Sequence, residues 1–453
     1  MERTRKLWQR EQDYEPIQGS SAAEEEERQE LRESTSFSWI EYSIFLLLGV
    51  AMLWAWNMLL AAGPYFQSRF ASSARLLDNF QASELAVSSI TNLGSMLVLT
   101  NMQAHASYPR RIVMSLLINL VAFALLALST WFVLGISAST YFAFLILIVF
   151  ATSLAAGLCQ NGVFAFVSGF GQPRYTQAIM TGQGVAGVLP CIAQIVSVLS
   201  VGKSQSHQGP SDEPEGPTPV PGTAAFAYFI TATVICAATL VAFFFLVRQY
   251  NSKKDATAQE DMISSLDSVE QRRRKTVPLA VLFGKLRWLA AAVFSTFTIT
   301  MMFPIYTQRI LSVRSADTQS RLLQAPCFIP LAFFFWNSGD LLGRLLPAVP
   351  RLSLIHRPKL IFSLSIARIV FIPLYHLCNI RGQGAVVNSD VFYLLVVQLL
   401  FGVSNGYLGS MCMMGAGEWV DAEEREASGG FMGLCLVAGL AFGSLISFFA
   451  AKA

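Results

Sequence analysis

Asp340 and Arg344 stand four residues apart inside a run of apolar side chains. On a helix that spacing puts both on one face, where opposite charges can pair and lower each other's burial cost. Asn337, three residues earlier, shares the face. An ionised carboxylate is an acceptor with several lone pairs. A pair of vicinal hydroxyls, as on a ribose ring, matches it, with Arg344 orienting the carboxylate and donating to the same solute. The alternative is a structural ion pair near a helix end, with Arg344 snorkelling toward water. Arg368 lies in the next apolar run. It needs an internal partner, either Asp340 or helix-end carbonyls, and a structural or gating role fits it better than direct contact with a solute.

Two further groups could read a flat, polar molecule. Trp54, Trp56 and Asn57 fall in the middle of the first apolar run. Tryptophan ordinarily prefers membrane interfaces, so a mid-run Trp56 beside an amide offers a stacking face, unless it is simply lipid-facing bulk. Gln160 and Asn161 sit near the end of the fourth run. An amide can donate and accept, which suits a base edge and suits interhelical bonding equally.

The elements that must carry these side chains are transmembrane helices. The 453-residue chain is 53% hydrophobic and 13% charged, with a mean hydropathy of +0.49. Soluble domains carry roughly 25% charged residues. Apolar runs of about 20 residues, the length of a bilayer crossing, recur along the chain. Backbone groups in hydrocarbon must be satisfied within the segment, so these runs are helices; the short alternating segments of a β-barrel are absent. Eleven spans are predicted, at about Trp39–Ala62, Ser83–Ala104, Ile112–Leu134, Tyr141–Val163, Gln177–Ser200, Thr223–Val247, Leu286–Thr307, Ala325–Pro347, Lys359–Asn379, Val391–Met414 and Ser428–Ala450. Pro64 is expected to end the first.

Residues 1–36 read as a disordered cytoplasmic tail, with the run Glu24–Glu27 and no cleavable signal peptide, so the first span serves as its own insertion signal. Residues 37–248 form a six-helix bundle, 249–284 a cytoplasmic linker with the basic run Arg272–Lys275, and 285–453 a five-helix bundle. Ser204–Pro221, rich in Pro, Gly and Ser, reads as a loop. Arg110, Arg111, Arg174, Lys285, Arg287, Arg351, Arg357 and Lys359 gather with the linker on one side, which the positive-inside rule makes cytoplasmic. The N-terminus shares that side. The 6 + 5 spacing suggests a two-bundle carrier with its solute bound near mid-membrane. The glycines of the fifth span (Gly182, Gly184, Gly187) and the prolines Pro190, Pro304, Pro330 and Pro373 suit either a mobile carrier or close helix packing. The net charge of +3 is too mild to indicate nucleic acid as a partner. Seven cysteines without CxxC spacing read as packing residues, not a metal or disulfide framework.

Several motifs together resemble the equilibrative nucleoside transporter family. They are Leu-Trp-Ala-Trp-Asn at 53–57, with Ala55 where the family has proline; Gln160-Asn161-Gly162; the run from Tyr175 to Gly187; Phe303-Pro304; Asn337 to Arg344 as N-x-x-D-x-x-G-R; Arg368 to Pro373; Ser404 to Leu408; and Ala427 to Gly430. Val281 to Leu286 is similar to fungal vacuolar members in particular. The resemblance implies an all-α, eleven-helix, major-facilitator-like fold with alternating access. It implies a cavity lined by Leu53, Trp56, Leu60, Gln160, Asn337, Asp340, Arg344 and Leu440, with Asn57 among the binding residues. Gln160 would read the base, and Asp340 and Arg344 the ribose. Phe303, Pro304 and Arg368 would gate or brace. Ala156 stands where the family has glycine.

The expected function is facilitated diffusion of nucleosides such as adenosine and uridine, and of nucleobases, by a monomer in the lipid bilayer. No cofactor or metal is expected, and no nucleotide-binding G-x-x-x-x-G-K-[ST] loop is present. A proton-coupled symporter of an acidic organelle is the alternative, though pairing with Arg344 commits Asp340 as an anion. A major-facilitator carrier for another small polar solute is a further one. An intramembrane protease lacks its second aspartate. Tyr14-Glu15-Pro16-Ile17 fits a sorting signal and, with the vacuolar resemblance, favours a vacuolar or endosomal membrane over the plasma membrane.

Overall fold

A computed structural model describes residues 37–103, 106–132, 135–201, 222–264, 276–314 and 320–450. Eleven long helices carry the described chain: α1 Trp39–Ala61, α2 Ala74–Asn101, α3 Tyr108–Phe132, α4 Ala138–Gly169, α5 Pro173–Val201, α6 Gly222–Ser264, α7 Leu279–Thr300, α8 Ala325–Leu345, α9 Pro358–Ala367, α10 Leu400–Gly415 and α11 Arg425–Ala450. Among the described residues, ten helical segments are long and apolar enough to cross a membrane. The one that falls short is α8, because Asn337, Asp340 and Arg344 lower its hydropathy. The N-terminal tail, the Ser204–Pro221 loop and the Arg272–Lys275 run lie outside the described residues.

Several helix boundaries differ from the sequence expectation, each for a local reason. Pro64 does not end the first segment; it opens a second short helix, Gly63–Phe70, in whose first turn its missing N–H would have had no acceptor. Helix α1 itself runs unbroken through Ala55, where a proline would have removed a hydrogen bond. Helix α4 continues to Gly169, then turns through Gly171 at φ +64, a left-handed conformation that glycine adopts without strain. Helix α6 runs on to Ser264, into the expected linker, because residues 223–264 contain neither glycine nor proline and polarity alone does not stop a helix. Beyond α9 the chain tightens into a 3-10 turn at Arg368–Val370 before resuming at Phe371–His376. Pro373 causes this, since it cannot donate to the carbonyl of Ile369. A π-helical stretch, Phe392–Leu399, precedes α10.

The described residues from Ile40 onward form one compact unit. Within it the apolar packing gathers in two places. One core joins Phe66, Phe70, Phe80, Phe123, Tyr141 and Phe229, all from the first six helices and the short helix after α1. The other joins Phe303, Phe328, Trp336, Tyr375, Tyr393 and Phe401, all from the last five and their connecting turns. Inside a bilayer such contacts gain dispersion energy and shape fit, not release of water. Phe303 stacks on Trp336 at 4.1 Å and 13°.

Hydrogen bonds fix which helix ends share a face. Tyr175 donates to Glu41 at 2.6 Å, joining the starts of α1 and α5. Arg111 donates to the Met102 carbonyl at 2.6 Å, joining the start of α3 to the end of α2. Gln177 donates to the Arg344 carbonyl at 3.2 Å, joining the start of α5 to the end of α8. Lys285 bridges to Glu424 at 2.5 Å, joining the starts of α7 and α11. All these ends lie on the face where α1 begins, the entry face; α2, α4, α6, α8 and α10 run toward it.

Candidate functional site

A cavity among the helices holds about 230 Å³. Met52, Leu53, Trp56 and Leu59 of α1, Phe123 of α3, Met301 just beyond α7, and Leu440 of α11 give it apolar and aromatic walls. Its polar groups come from α2 (Ser88, Ser89, Asn92), α3 (Asn119), α4 (Thr152, Ser153, Gln160) and α11 (Ser444). No charged side chain lines it.

Four of those polar groups are buried and unsatisfied. Asn92 Oδ1, Asn119 Oδ1, Ser153 Oγ and Gln160 Oε1 have no hydrogen-bond partner. A buried acceptor left unpaired costs about 1–3 kcal/mol, and buried polar groups in folded proteins are nearly always paired. Orphans concentrated around one cavity mark a place prepared for a polar ligand. Trp56 supplies a flat apolar wall beside them, the usual composition of a small-molecule pocket.

The cavity lies toward the face opposite the entry face. On the entry side the first six helices are tied to the last five. Arg344 Nη1 donates to the Met180 carbonyl at 2.9 Å and to Gln183 Oε1 at 3.0 Å. Gln177 reaches the Leu345 carbonyl at 3.3 Å, and Gln103 Oε1 accepts from the Val277 backbone at 3.1 Å. Gly429 on α11 packs directly against the Phe164 backbone of α4, and Gly184 on α5 against Leu341 and Arg344 of α8. These contacts close the entry side below Gln160.

The residues singled out in the sequence divide between two locations. Leu53, Trp56, Gln160 and Leu440 line the cavity together, with Ala156 beside them. Asn57, Leu60, Asn337, Asp340 and Arg344 are outside its lining. Asn57 donates to the Ala186 carbonyl at 2.7 Å and joins α1 to α5. Leu60 is 54% exposed. Asn337 donates to the Phe333 carbonyl at 2.9 Å and faces Gly187.

Asp340 and Arg344 form the expected i, i+4 pair, with Arg344 Nε 2.7 Å from Asp340 Oδ2, both nearly inaccessible. Asp340 Oδ1 accepts from Asn405 of α10 at 2.6 Å. Both carboxylate oxygens and two guanidinium nitrogens are thus engaged in protein contacts. Arg368 takes the carbonyl alternative: it donates to the Thr296 carbonyl at 2.5 Å, to Thr300 Oγ1 and Ser404 Oγ at 3.0 Å each, and lies over the Phe401 ring. Asn161 donates to Thr100 and accepts from Arg111, so it joins α4 to α2 and α3. Phe303 is buried against Trp336, and Pro304 opens the short helix Phe303–Thr307.

The residues not singled out beforehand are Asn92, Asn119, Ser153 and Glu84. Glu84 is 6% exposed, and its Oε1 has no partner. The available signal was simple: a lone Asn or Glu within an apolar run is costly at membrane depth.

The chain matches the family model described as Nucleoside transporter over residues 145–452. It is 28% identical over 455 residues to nucleoside transporter FUN26 of Saccharomyces cerevisiae, covering 90% of this chain and 83% of that one. It is 28% identical over 462 residues to human equilibrative nucleoside transporter 1, covering 89% and 95%. Its fold is similar to the proton:xylose symporter XylE (TM-score 0.55, 12% identity, 91% of this chain and 88% of that one). It is also similar to the major facilitator superfamily transporter FucP in its outward conformation (TM-score 0.52, 11% identity, 91% and 95%). The fold is therefore major-facilitator-like.

Proposed function

The chain belongs to the nucleoside transporter family, and from that premise we propose that it carries nucleosides across its membrane by facilitated, alternating-access exchange through the α1–α4–α11 cavity. It is a transporter and not an enzyme. The observation that carries the reading is the cavity: four buried polar atoms without partners, a tryptophan wall, and closure on one side by bonds between the first six and last five helices. A solute entering from the open side satisfies the orphaned groups. Breaking the Arg344 and Gln177 bonds while closing the opposite side exposes it to the entry face.

The basic residues at the helix ends of the entry face support a cytoplasmic assignment for that face. The state described then faces outward or into a lumen. The six-helix and five-helix bundles on either side of residues 249–284 are the moving parts. We assign the protein, as a monomer, to a vacuolar or endosomal membrane of a fungal-type cell, on the resemblance of Val281 to Leu286 and the tail motif.

The test is uptake of labelled adenosine and uridine into liposomes. Gln160→Ala and Trp56→Ala are expected to reduce uptake at least tenfold, since each removes a cavity group whose loss is worth about 1.4 kcal/mol or more. Wild-type rates in both variants would move the pathway elsewhere.

Proton coupling is the second reading, and Glu84 is the observation that favours it. This buried carboxyl with an unpartnered oxygen lies one helical turn before Ser88 of the cavity wall. The primary reading expects uridine to reach the same level with and without an inward-acid gradient, and Glu84→Gln to leave that level unchanged. Accumulation above equilibrium that Glu84→Gln abolishes would establish symport.

A further inference from the structure

We propose that the entry face carries a binding site for the phosphate headgroup of an anionic phospholipid, between the start of α7 and the start of α9. The site belongs to the five-helix bundle and shares no residue with the solute cavity.

A second cavity, of about 590 Å³, opens there. It is framed by α7 from Gly284 to Leu289, by the turn into α9 from His356 to Leu360, and by Trp419 ahead of α11. Lys285, Arg287, Arg357 and Lys359 line it, and no acidic side chain does. Lys285 is already neutralised by Asp421 and Glu424, at 2.9 and 2.5 Å. Among the described residues, Arg287, Arg357 and Lys359 pair with no carboxylate. The positive-inside rule accounts for cations on this face. It does not account for three of them converging on one hollow without a counter-charge. Like charges brought together repel, and an anion between them removes that cost.

Two tryptophans frame the cavity at the depth of a headgroup, the level where this side chain concentrates in membranes. Trp419 Nε1 donates to the Ile355 carbonyl at 3.2 Å, which fixes it to the turn before α9. Arg287 Cζ lies 5.7 Å and Lys359 Nζ 6.0 Å from the centre of the Trp288 ring, so one indole steadies cations from two helices. Arginine presents paired donors to a phosphate, and lysine a point charge. Basic pockets between membrane helices on the cytoplasmic side, where the entry face is assigned above, suit phospholipid headgroups.

The neighbouring surface favours a lipid over a free phosphate. Leu360 of the cavity wall and Leu364, one turn deeper along α9, share a helix face and are 40% and 39% exposed. Helix α8 ends on the entry face, so α9 starts there and this strip leads from the cavity into the bilayer. Acyl chains can lie along it while the headgroup meets the cations. A soluble phosphate would leave the strip unused.

The experiment uses full-length protein in detergent, with labelled dioleoyl phosphatidic acid as the probe. Dioleoyl phosphatidylcholine keeps the chains without the net charge, and glycerol 3-phosphate keeps the headgroup without the chains; neither is expected to displace the probe. Arg357→Gln combined with Lys359→Gln is expected to weaken binding about 25-fold, each near-surface cation contributing about fivefold. Arg287→Gln, on the opposite wall, should weaken it about fivefold and reports even where the double variant fails to fold. Arg110→Gln combined with Arg351→Gln removes the same charge outside the cavity lining and should bind like wild type. Phosphatidic acid should also raise the melting temperature of wild type and not of the cavity double variant. Equal binding by wild type and the cavity variants would overturn the site, as would an equal loss in the charge-matched control. Displacement by glycerol 3-phosphate would make the ligand a soluble phosphate ester and overturn the lipid assignment.

Discussion

Asp340→Ala is expected to lower folding stability by about 3–5 kcal/mol and to abolish uptake, because it removes one partner of a buried ion pair and leaves the other uncompensated. The loss does not stop at the pair. Asn405 Nδ2 donates to Asp340 Oδ1 at 2.6 Å, so α10 loses its polar tie to α8. Arg344 loses the 2.7 Å contact that aims its guanidinium, which also reaches Met180 and Gln183 on α5. The same residue therefore supports the C-terminal packing and the closed entry side. Asp340→Asn keeps the shape and an acceptor but still leaves the Arg344 charge uncompensated, and should lose less stability than Asp340→Ala. Lys285→Ala is the milder case: the Asp421 side chain is 78% exposed and an exposed ion pair contributes little, while the Glu424 side chain is 6% exposed and loses its cation. Thermal unfolding in detergent, beside liposome uptake, measures all three. Wild-type melting and uptake in Asp340→Ala would mean that the pair is ornamental.

The Asp340–Arg344 pairing was legible because it is local: i, i+4 on a helix needs no tertiary knowledge. The spans were legible because length and apolarity of a crossing are set by the bilayer. The purpose of the pair was not. Whether an Asp–Arg pair faces a cavity or a neighbouring helix depends on the rotation of α8 against α5 and α10. That rotation is set by glycines whose contacts are remote in the chain, as for Gly184 with Leu341 and Gly406 with Asp340. Arg368 shows the same limit: the need for a partner could be inferred, but Thr296, Thr300 and Ser404 come from two other helices. Asn119 and Ser153 were passed over because each is one polar residue in an apolar run. Asn57, in an equally apolar run, turned out to bond α5. Only packing separates a cavity amide from an interhelical one.

Gly406→Ala is expected to lower both stability and transport, though it adds a single methyl group. Helices α8 and α10 are in backbone contact along four glycines. A Cβ on Gly402 would lie 2.8 Å from the Asp340 nitrogen, and one on Gly343 would lie 2.7 Å from the Tyr407 nitrogen. At Gly406 the added atom would meet the Asp340 carbonyl group, with the Arg344 nitrogen 2.9 Å away. These neighbours are main chain inside regular helices, so no rotamer change can relieve the clash. The helices must separate, and overpacking of this kind costs about 1–3 kcal/mol or more. Separation also lengthens the Asn405–Asp340 bond, because Asn405 precedes the substituted residue. Transport should therefore fall even in protein that still folds. Gly94→Ala is the control: a Cβ there meets nothing within 4 Å, and alanine favours the helix over glycine by about 0.8–1.0 kcal/mol. That variant should melt at or above the wild-type temperature with uptake intact. If Gly406→Ala behaves like Gly94→Ala, α8 and α10 do not pack at backbone contact, and the placement of Asp340 beside Asn405 falls with it.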